Sequence, residues 1–272
     1  MKPFKLSFLK IGIAVAFSQI PIMAQSQGNT LSVGSQSNGL GQMRLGLDDV
    51  WSVYNNPTDM AQDSNYHIGL ATSKPYGLSG LHSASISGSI RIKTITLGGF
   101  FNYFGYHISN QKTVGLASSI LLSDHTNVGI SMLLFNTTIQ GYDRRNQPSF
   151  SIGIKHKLTG KTTIRFLAFN PVISPEQSRI KSHYYGGVST QITSETLWLN
   201  QLDMSMTDPV SFSSGILYDL KPNIRLTIGI RTTPRLLSFG VIVKSNRFHI
   251  GSSFHHHQTL GLSPTFSAEW SS

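Results

Sequence analysis

Ile224-Arg225-Leu226-Thr227-Ile228-Gly229-Ile230-Arg231 places an aliphatic side chain at every even position and a polar residue or glycine at every odd one. Ala84 to Ile92 repeats the pattern, setting Ser85, Ser87, Ser89 and Arg91 against Ile86, Ile90 and Ile92. Successive side chains of a strand point to opposite faces, so each segment carries one greasy and one polar face. The rhythm recurs about fourteen times between Tyr66 and Trp270, which describes an all-β, 14-stranded antiparallel barrel spanning an outer membrane.

Working outward, the strands are expected at 66–72, 81–92, 94–104, 112–122, 127–137, 148–157, 162–169, 183–192, 195–203, 210–218, 223–231, 235–244, 247–255 and 260–270. Most have the ~9–11 residues a tilted strand needs to cross hydrocarbon. The links alternate in length. Every second one is tight, such as Lys93, Thr193-Ser194 and Ser245-Asn246. Those after the first, third, fifth and seventh strands are expected to be long, including 73–80, 138–147 and 170–182. Short turns on one rim and longer loops on the other suit an outer-membrane barrel, with the turns and both termini periplasmic. A soluble sandwich also alternates, but it would carry lysine and glutamate on its outer face. Here that face offers Val128, Ile130, Met132 and Leu134, or Leu260, Leu262, Phe266 and Trp270.

Composition agrees. Charged residues make up 12% of the 272-residue chain, against ~25% in soluble proteins. Lys2, Lys5 and Lys10, the apolar run Ile11–Phe17 and the ending Pro21-Ile22-Met23-Ala24 read as a cleavable export signal over 1–24. Its removal would take three lysines and lower the formal charge of +10 to +7. The chain has no cysteine, which excludes disulfide and thiol chemistry. Basic residues are scattered and never run beside stacking aromatics, which argues against a nucleic-acid partner. Anionic membrane lipid headgroups and lipopolysaccharide are the better partners for that charge. Tyr54, Tyr66, Tyr76, Tyr103, Tyr106, Tyr142, Tyr184, Tyr185, Trp198, Tyr218 and Trp270 are expected mostly in headgroup-level girdles. Phe266 and Trp270 give the closing strand the aromatic end that barrel-assembly machinery reads, although Ser271-Ser272 follow.

Between 25 and 65 the alternation stops. Ser32 to Gly41 is rich in glycine and serine, and Leu47-Asp48-Asp49-Val50-Trp51-Ser52-Val53-Tyr54 reads as one or two helical turns. Its aspartates suit the start, and Asn55-Asn56-Pro57 ends it. A barrel of fourteen strands is too wide for wall side chains alone to fill, so 25–65 is expected to plug the 66–272 barrel. Ser37-Asn38-Gly39-Leu40-Gly41-Gln42-Met43 and Asp49-Val50-Trp51 through Asn55-Asn56-Pro57-Thr58-Asp59-Met60-Ala61 resemble the amino-terminal signature of FadL-type outer-membrane proteins. The likeness is nearest to the PorV/PorQ-like branch associated with type IX secretion. Gln42 stands where that signature has a second glycine, and Thr58-Asp59 where it has Ala-Gly. The resemblance implies a plug or hatch whose signature residues are Leu40, Gly41, Asp49, Trp51, Asn56 and Pro57.

On the polar faces, Arg91, Lys155, Arg225, Arg231, His249 and Glu269 are expected to point into the lumen. Glu269 and Asp48, Asp49 or Asp59 are the natural counter-ions for the arginines, since buried charges need partners. The remaining lumen positions are mostly Ser, Thr and Gly. His255-His256-His257 is a loop-tip run without a completing metal ligand, because neighbours on a strand alternate faces. No G-x-S-x-G elbow is present. Neither metal, cofactor nor enzymatic activity is therefore expected. By resemblance two roles compete: passage of a hydrophobic small molecule, and an accessory role with secretion-system components.

Overall fold

The computed structural model describes residues 31–60, 65–171, 180–206 and 208–272. The expected export signal lies outside them. Among the described residues the strands are β1 (Tyr66–Ser73), β2 (His82–Ile92), β3 (Ile95–Gly105), β4 (Ser109–Ser123), β5 (Thr126–Ile139), β6 (Arg145–Lys157) and β7 (Thr162–Phe169). They continue with β8 (His183–Gln191), β9 (Thr196–Ser205), β10 (Ser211–Lys221), β11 (Ile224–Arg231), β12 (Leu236–Ser245), β13 (Phe248–His257) and β14 (Gly261–Ser271). Each pairs antiparallel with its sequence neighbours, and β1 joins β14 through Ile68↔Trp270 and Thr72↔Phe266 to close the barrel. Closure leaves no edge strand with unpaired amides.

The two-residue period sorts the faces. Leu116, Met132 and Phe150 stand side by side on β4, β5 and β6 and point outward. Met132 is 73% exposed while its neighbour Leu133 is 3% exposed. A belt of such side chains surrounds the barrel, the surface that lipid rather than water solvates favourably.

The link after β3 is only 106–108, and that after β5 only 140–144, shorter than the alternation of links implies. β4, β5 and β6 run to 15, 14 and 13 residues because the ladder continues past the apolar belt. There the outward row turns polar: Lys112 lies opposite Asn136, whose side-chain amide donates to Asn146 at 2.6 Å. Polar side chains thus extend pairing where the sequence reading had placed loop. The histidine run is likewise strand, not loop tip: β13 includes all three, with His255 inward and His256 outward.

Candidate functional site

The lumen is occupied by residues 33–60. Helix α1 (Ser35–Gly39) lies against β11–β14, helix α2 (Ser52–Asn55) against β2–β4, and a 3₁₀ turn at Pro57–Asp59 against β4–β6. Helix therefore begins later than the paired aspartates suggest. Asp49 caps nothing; its carboxylate takes a weak 3.3 Å bond from the Ser52 hydroxyl. Conversely, the glycine- and serine-rich stretch is not featureless but winds into α1. Asn55 ties the segment's ends together, its amide donating to the Val33 carbonyl at 2.8 Å and accepting from the Val33 N–H at 3.0 Å. The Asn56 side chain accepts from the Thr58 N–H and so opens the turn that Pro57 begins.

The wall is recessed where this chain passes. Gly215 and Gly229 face each other across β10 and β11. A methyl group on Gly229 would sit 2.3 Å from the Leu40 carbonyl carbon and 2.6 Å from the Gly41 nitrogen. Gly129 and Gly153 form a second cross-strand pair on β5 and β6, and a methyl on Gly129 would meet the Pro57–Thr58 peptide at 2.7 Å. Leu40–Gly41 and Asn56–Pro57 thus each lie in a glycine-floored groove. Gly41 and Gln42 both take left-handed backbone, φ 73° and 60°. Gln42 therefore takes a turn that favours glycine, at the steric cost of a β-carbon.

Asp59, fully buried, is the electrostatic centre. Its carboxylate accepts from Arg165 Nε at 2.6 Å, from the Gly46 N–H at 2.7 Å and from the Asn56 amide at 2.7 Å, with Lys155 Nζ 3.3 Å away. Burial alone would raise its pKa, but Arg165 and Lys155 outweigh that and hold the carboxyl well below the usual range. Asp48, half-exposed, adds a 2.5 Å bond from Lys155. Asp49 behaves oppositely: burial and then the neighbouring Glu269 push its carboxyl well above the usual range.

The expected lumen charges find different partners. Arg225 pairs with Asp219 at 2.7 Å and also reaches the Gln36 amide oxygen. Arg231 pairs with Asp203 at 2.9 Å, and His183 closes on the same carboxylate at 2.9 Å. Both partners belong to the wall. Their short cross-strand reach outcompetes the segment's aspartates. Among the described residues Glu269 meets no arginine; it accepts from the Trp51 indole at 2.9 Å and lies 3.5 Å from His67. His249 stands directly opposite Glu269 on β13. Arg91 sits at the rim, donating to the Lys93 carbonyl.

Two features escape the alternation. Arg165 is one, because Thr162–Phe169 reads as apolar on both faces. The other is an apolar half of the lumen, where Phe100, Leu133, Phe135, Leu167, Phe169 and Tyr185 pack against Val50, Trp51 and Tyr54. Tyr54 and Tyr185 therefore belong to the interior and not to a girdle. Between them the buried Arg44 guanidinium lies 4.8 Å from the Tyr54 and Phe169 rings and 5.6 Å from Tyr185. Consecutive apolar runs such as Met132–Phe135 were the available signal, since strands buried on both faces lose their alternation.

No protein-family model and no curated protein matches this sequence. Solved structures match its fold. The CymD monoaromatic hydrocarbon channel superimposes with a TM-score of 0.66 at 12% identity, over 90% of this chain and 98% of that one. The toluene transporter TbuX of Ralstonia pickettii gives 0.65 at 10%, over 90% and 99%. A FadL homologue of Pseudomonas aeruginosa gives 0.63 at 9%, over 89% and 99%. What this chain shares with them at such identities is architecture: a closed barrel of fourteen antiparallel strands with short helices near its amino-terminal end.

Proposed function

We propose that this protein is a non-enzymatic outer-membrane barrel that conducts a hydrophobic small molecule through a lumen closed at rest by residues 33–60. The short-turn rim, which also holds both ends of the barrel, faces the periplasm, and the outward belt sits in lipid. The observation that carries the reading is the pair of glycine-floored grooves. They seat the amino-terminal segment against a wall that gives up its own side chains there to make room for it. A seat built for a removable occupant is what a gated channel needs. The fold neighbours described as hydrocarbon channels and a toluene transporter lend support.

The test uses the absence of native cysteine. Ser35 Oγ and Ser267 Oγ lie 2.6 Å apart, so Ser35→Cys with Ser267→Cys joins the segment to β14. Accumulation of labelled toluene or oleate by cells expressing the oxidised variant should stop, and return on reduction. Equal accumulation in both states refutes conduction past the segment. One observation favours the accessory role in secretion: residues 33–60 fill the lumen, and a cavity beside Val33 measures only about 40 Å³. That role wins if neither redox state transports while secretion-system components co-purify with the intact barrel.

A further inference from the structure

That cavity lies at the long-loop rim, between the start of the described segment and strands β2, β3, β13 and β14. Its roof is the β1–β2 link, where Pro75–Gly77 makes a single 3₁₀ turn. Leu31, Val33, Pro75 and Phe104 supply an apolar side. On the polar side stand Ser32 and His255, each 6% exposed, and the Ser32 hydroxyl and His255 Nδ1 have no hydrogen-bond partner among the described residues. Two orphaned polar atoms lining one cavity are uncommon, since buried groups of this kind are nearly always satisfied.

The proton assignment on His255 follows from its other nitrogen. Nε2 lies 3.3 Å from the Gln42 side-chain nitrogen, which can only donate. Nε2 therefore accepts, and in a neutral imidazole the proton sits on Nδ1, leaving a donor without an acceptor. Ser32 can accept or donate. Among the described residues, no Lys, Arg, Asp or Glu lines the cavity.

We propose that this pocket receives a small neutral alcohol or phenol, its hydroxyl oxygen accepting from His255 Nδ1 and its hydroxyl proton going to Ser32, with the hydrocarbon part against Phe104 and Pro75. The inference rests on the conduction reading and names the class of molecule that reading leaves open. A carboxylate entering here would be a buried charge with no cation on the lining, and a bare hydrocarbon would leave both orphans unsatisfied. Either deficit amounts to roughly tenfold or more in affinity.

About 40 Å³ holds roughly three waters, so the pocket must widen to admit an aromatic ring. The roof is built to lift. Tyr76 is held at φ 56°, a conformation an aromatic residue rarely adopts, by the bond from its N–H to the Ser263 hydroxyl at 2.8 Å. Beside it, a side chain on Gly80 would meet nothing within 4 Å. Lifting the roof means releasing that bond, the one from the Lys74 N–H to the Pro264 carbonyl at 3.0 Å, and the edge-on contact of the Tyr76 ring with His257, 6.0 Å between centroids.

The experiment compares 1-naphthol, naphthalene and 1-naphthoate for binding to the purified full chain in lipid nanodiscs, with empty nanodiscs subtracted. Naphthol should bind at least tenfold more tightly than either analogue. Ser32→Ala and His255→Phe should each bring naphthol towards the naphthalene value and leave naphthalene itself unchanged. Naphthoate binding as tightly as naphthol overturns the proposal, as do variants that keep naphthol affinity within twofold. If a variant fails to fold, shown by loss of heat-modifiable migration on a gel, the ranking of the three compounds on the unaltered protein still decides. The cysteine lock separates the two readings. If the lock blocks uptake but naphthol is not preferred, the pocket falls and conduction stands. Naphthol preference with uptake indifferent to the lock sinks conduction instead.

Discussion

Replacing Asp59 by asparagine should loosen the segment from the wall without loosening the barrel. The substitution keeps shape and one acceptor but removes the charge that Arg165, 4% exposed, and Lys155 lean on. Breaking a buried pair by neutralising one member typically costs ~3–5 kcal/mol, because the partner is left desolvated. Asp48 softens that figure, since it stays 2.5 Å from Lys155 and 3.8 Å from Arg165, but it is 54% exposed and its field is screened. About 2–3 kcal/mol is therefore expected, roughly a 30- to 160-fold shift in the segment's opening equilibrium. Native-state hydrogen exchange reads this directly. Protection should fall across 44–59, beginning with the Gly46 amide that donates to Asp59, and stay unchanged in β5 and β12. A double variant with Arg165→Gln should cost clearly less than the two single costs added, because the two changes remove one interaction. Exchange that is unaltered in the segment, or raised equally in the strands, refutes the latch.

The remaining predictions concern the same contact surface. Gly229→Ala should force Leu40–Gly41 off its groove at a cost of about 1–3 kcal/mol. Gly99→Ala, whose methyl would meet only Leu116 at 4.0 Å, should change little; equal thermal shifts for the two would dismiss the groove. The raised pKa of Asp49 implies a stabilising contribution that is full below the ordinary carboxylate value of about 3.9 and is lost as pH rises through its folded value. Exchange from Asp49–Tyr54, corrected for intrinsic rate, should therefore quicken from pH 5 towards neutrality, and Asp49→Asn should abolish the dependence. Asp59 carries the opposite sign: its contribution is present above about pH 3.9 and lost only as pH falls towards its depressed folded value, so Pro57–Asp59 should show no change over the same range. Arg44→Met should cost about 1–2 kcal/mol by denaturant titration. It trades a guanidinium among rings for a thioether and gives up the 3.2 Å bond to the Tyr54 carbonyl but strands no carboxylate, whereas Arg165→Met should cost clearly more.

Strand positions were legible because period two is a local property, and lipid outside the barrel enforces it at nearly every outward position. Each observed strand begins within three residues of expectation. Strand ends were less legible at β4–β6, where hydrogen-bonding side chains carry the ladder beyond the apolar belt that the pattern senses. Of the wall pairs, Arg225 with Asp219 was within reach of sequence, since the two residues face each other across a tight turn. Arg231 with Asp203 was not: β10 lies between their strands, and register is needed to bring them together. Arg44 sits in a stretch with no period at all, so nothing local marks it as buried. The lumen glycines were visible as residues but read as small polar lining. Their meaning appears only once Leu40 and Pro57 are seen resting on them.

The segment's hold on the wall is uneven, which bears on where a passage opens. Residues 44–60 are fixed by a buried carboxylate with two cations and by an aromatic cluster around Trp51 and Tyr54, terms of several kcal/mol. The polar contacts of residues 33–43 with the wall include no ion pair: Ser35 with Ser267, Arg225 with the Gln36 amide oxygen at 3.3 Å, Gln42 with His255 at 3.3 Å, and Ser213 with the Gly41 carbonyl at 3.5 Å. Such bonds net about 0.5–1.5 kcal/mol each, and the longest falls short of that. Leu40 and Met43 add apolar contact with Leu199 of β9 and Leu217 of β10, a smaller cluster than the one around Trp51. A fluctuation that frees α1 breaks no buried ion pair and is thus cheaper than one that frees residues 44–60, and it opens the side of the lumen directly below the cavity at the loop rim. The lock at Ser35 and Ser267 closes this weaker half, so it tests the route that the energetics select.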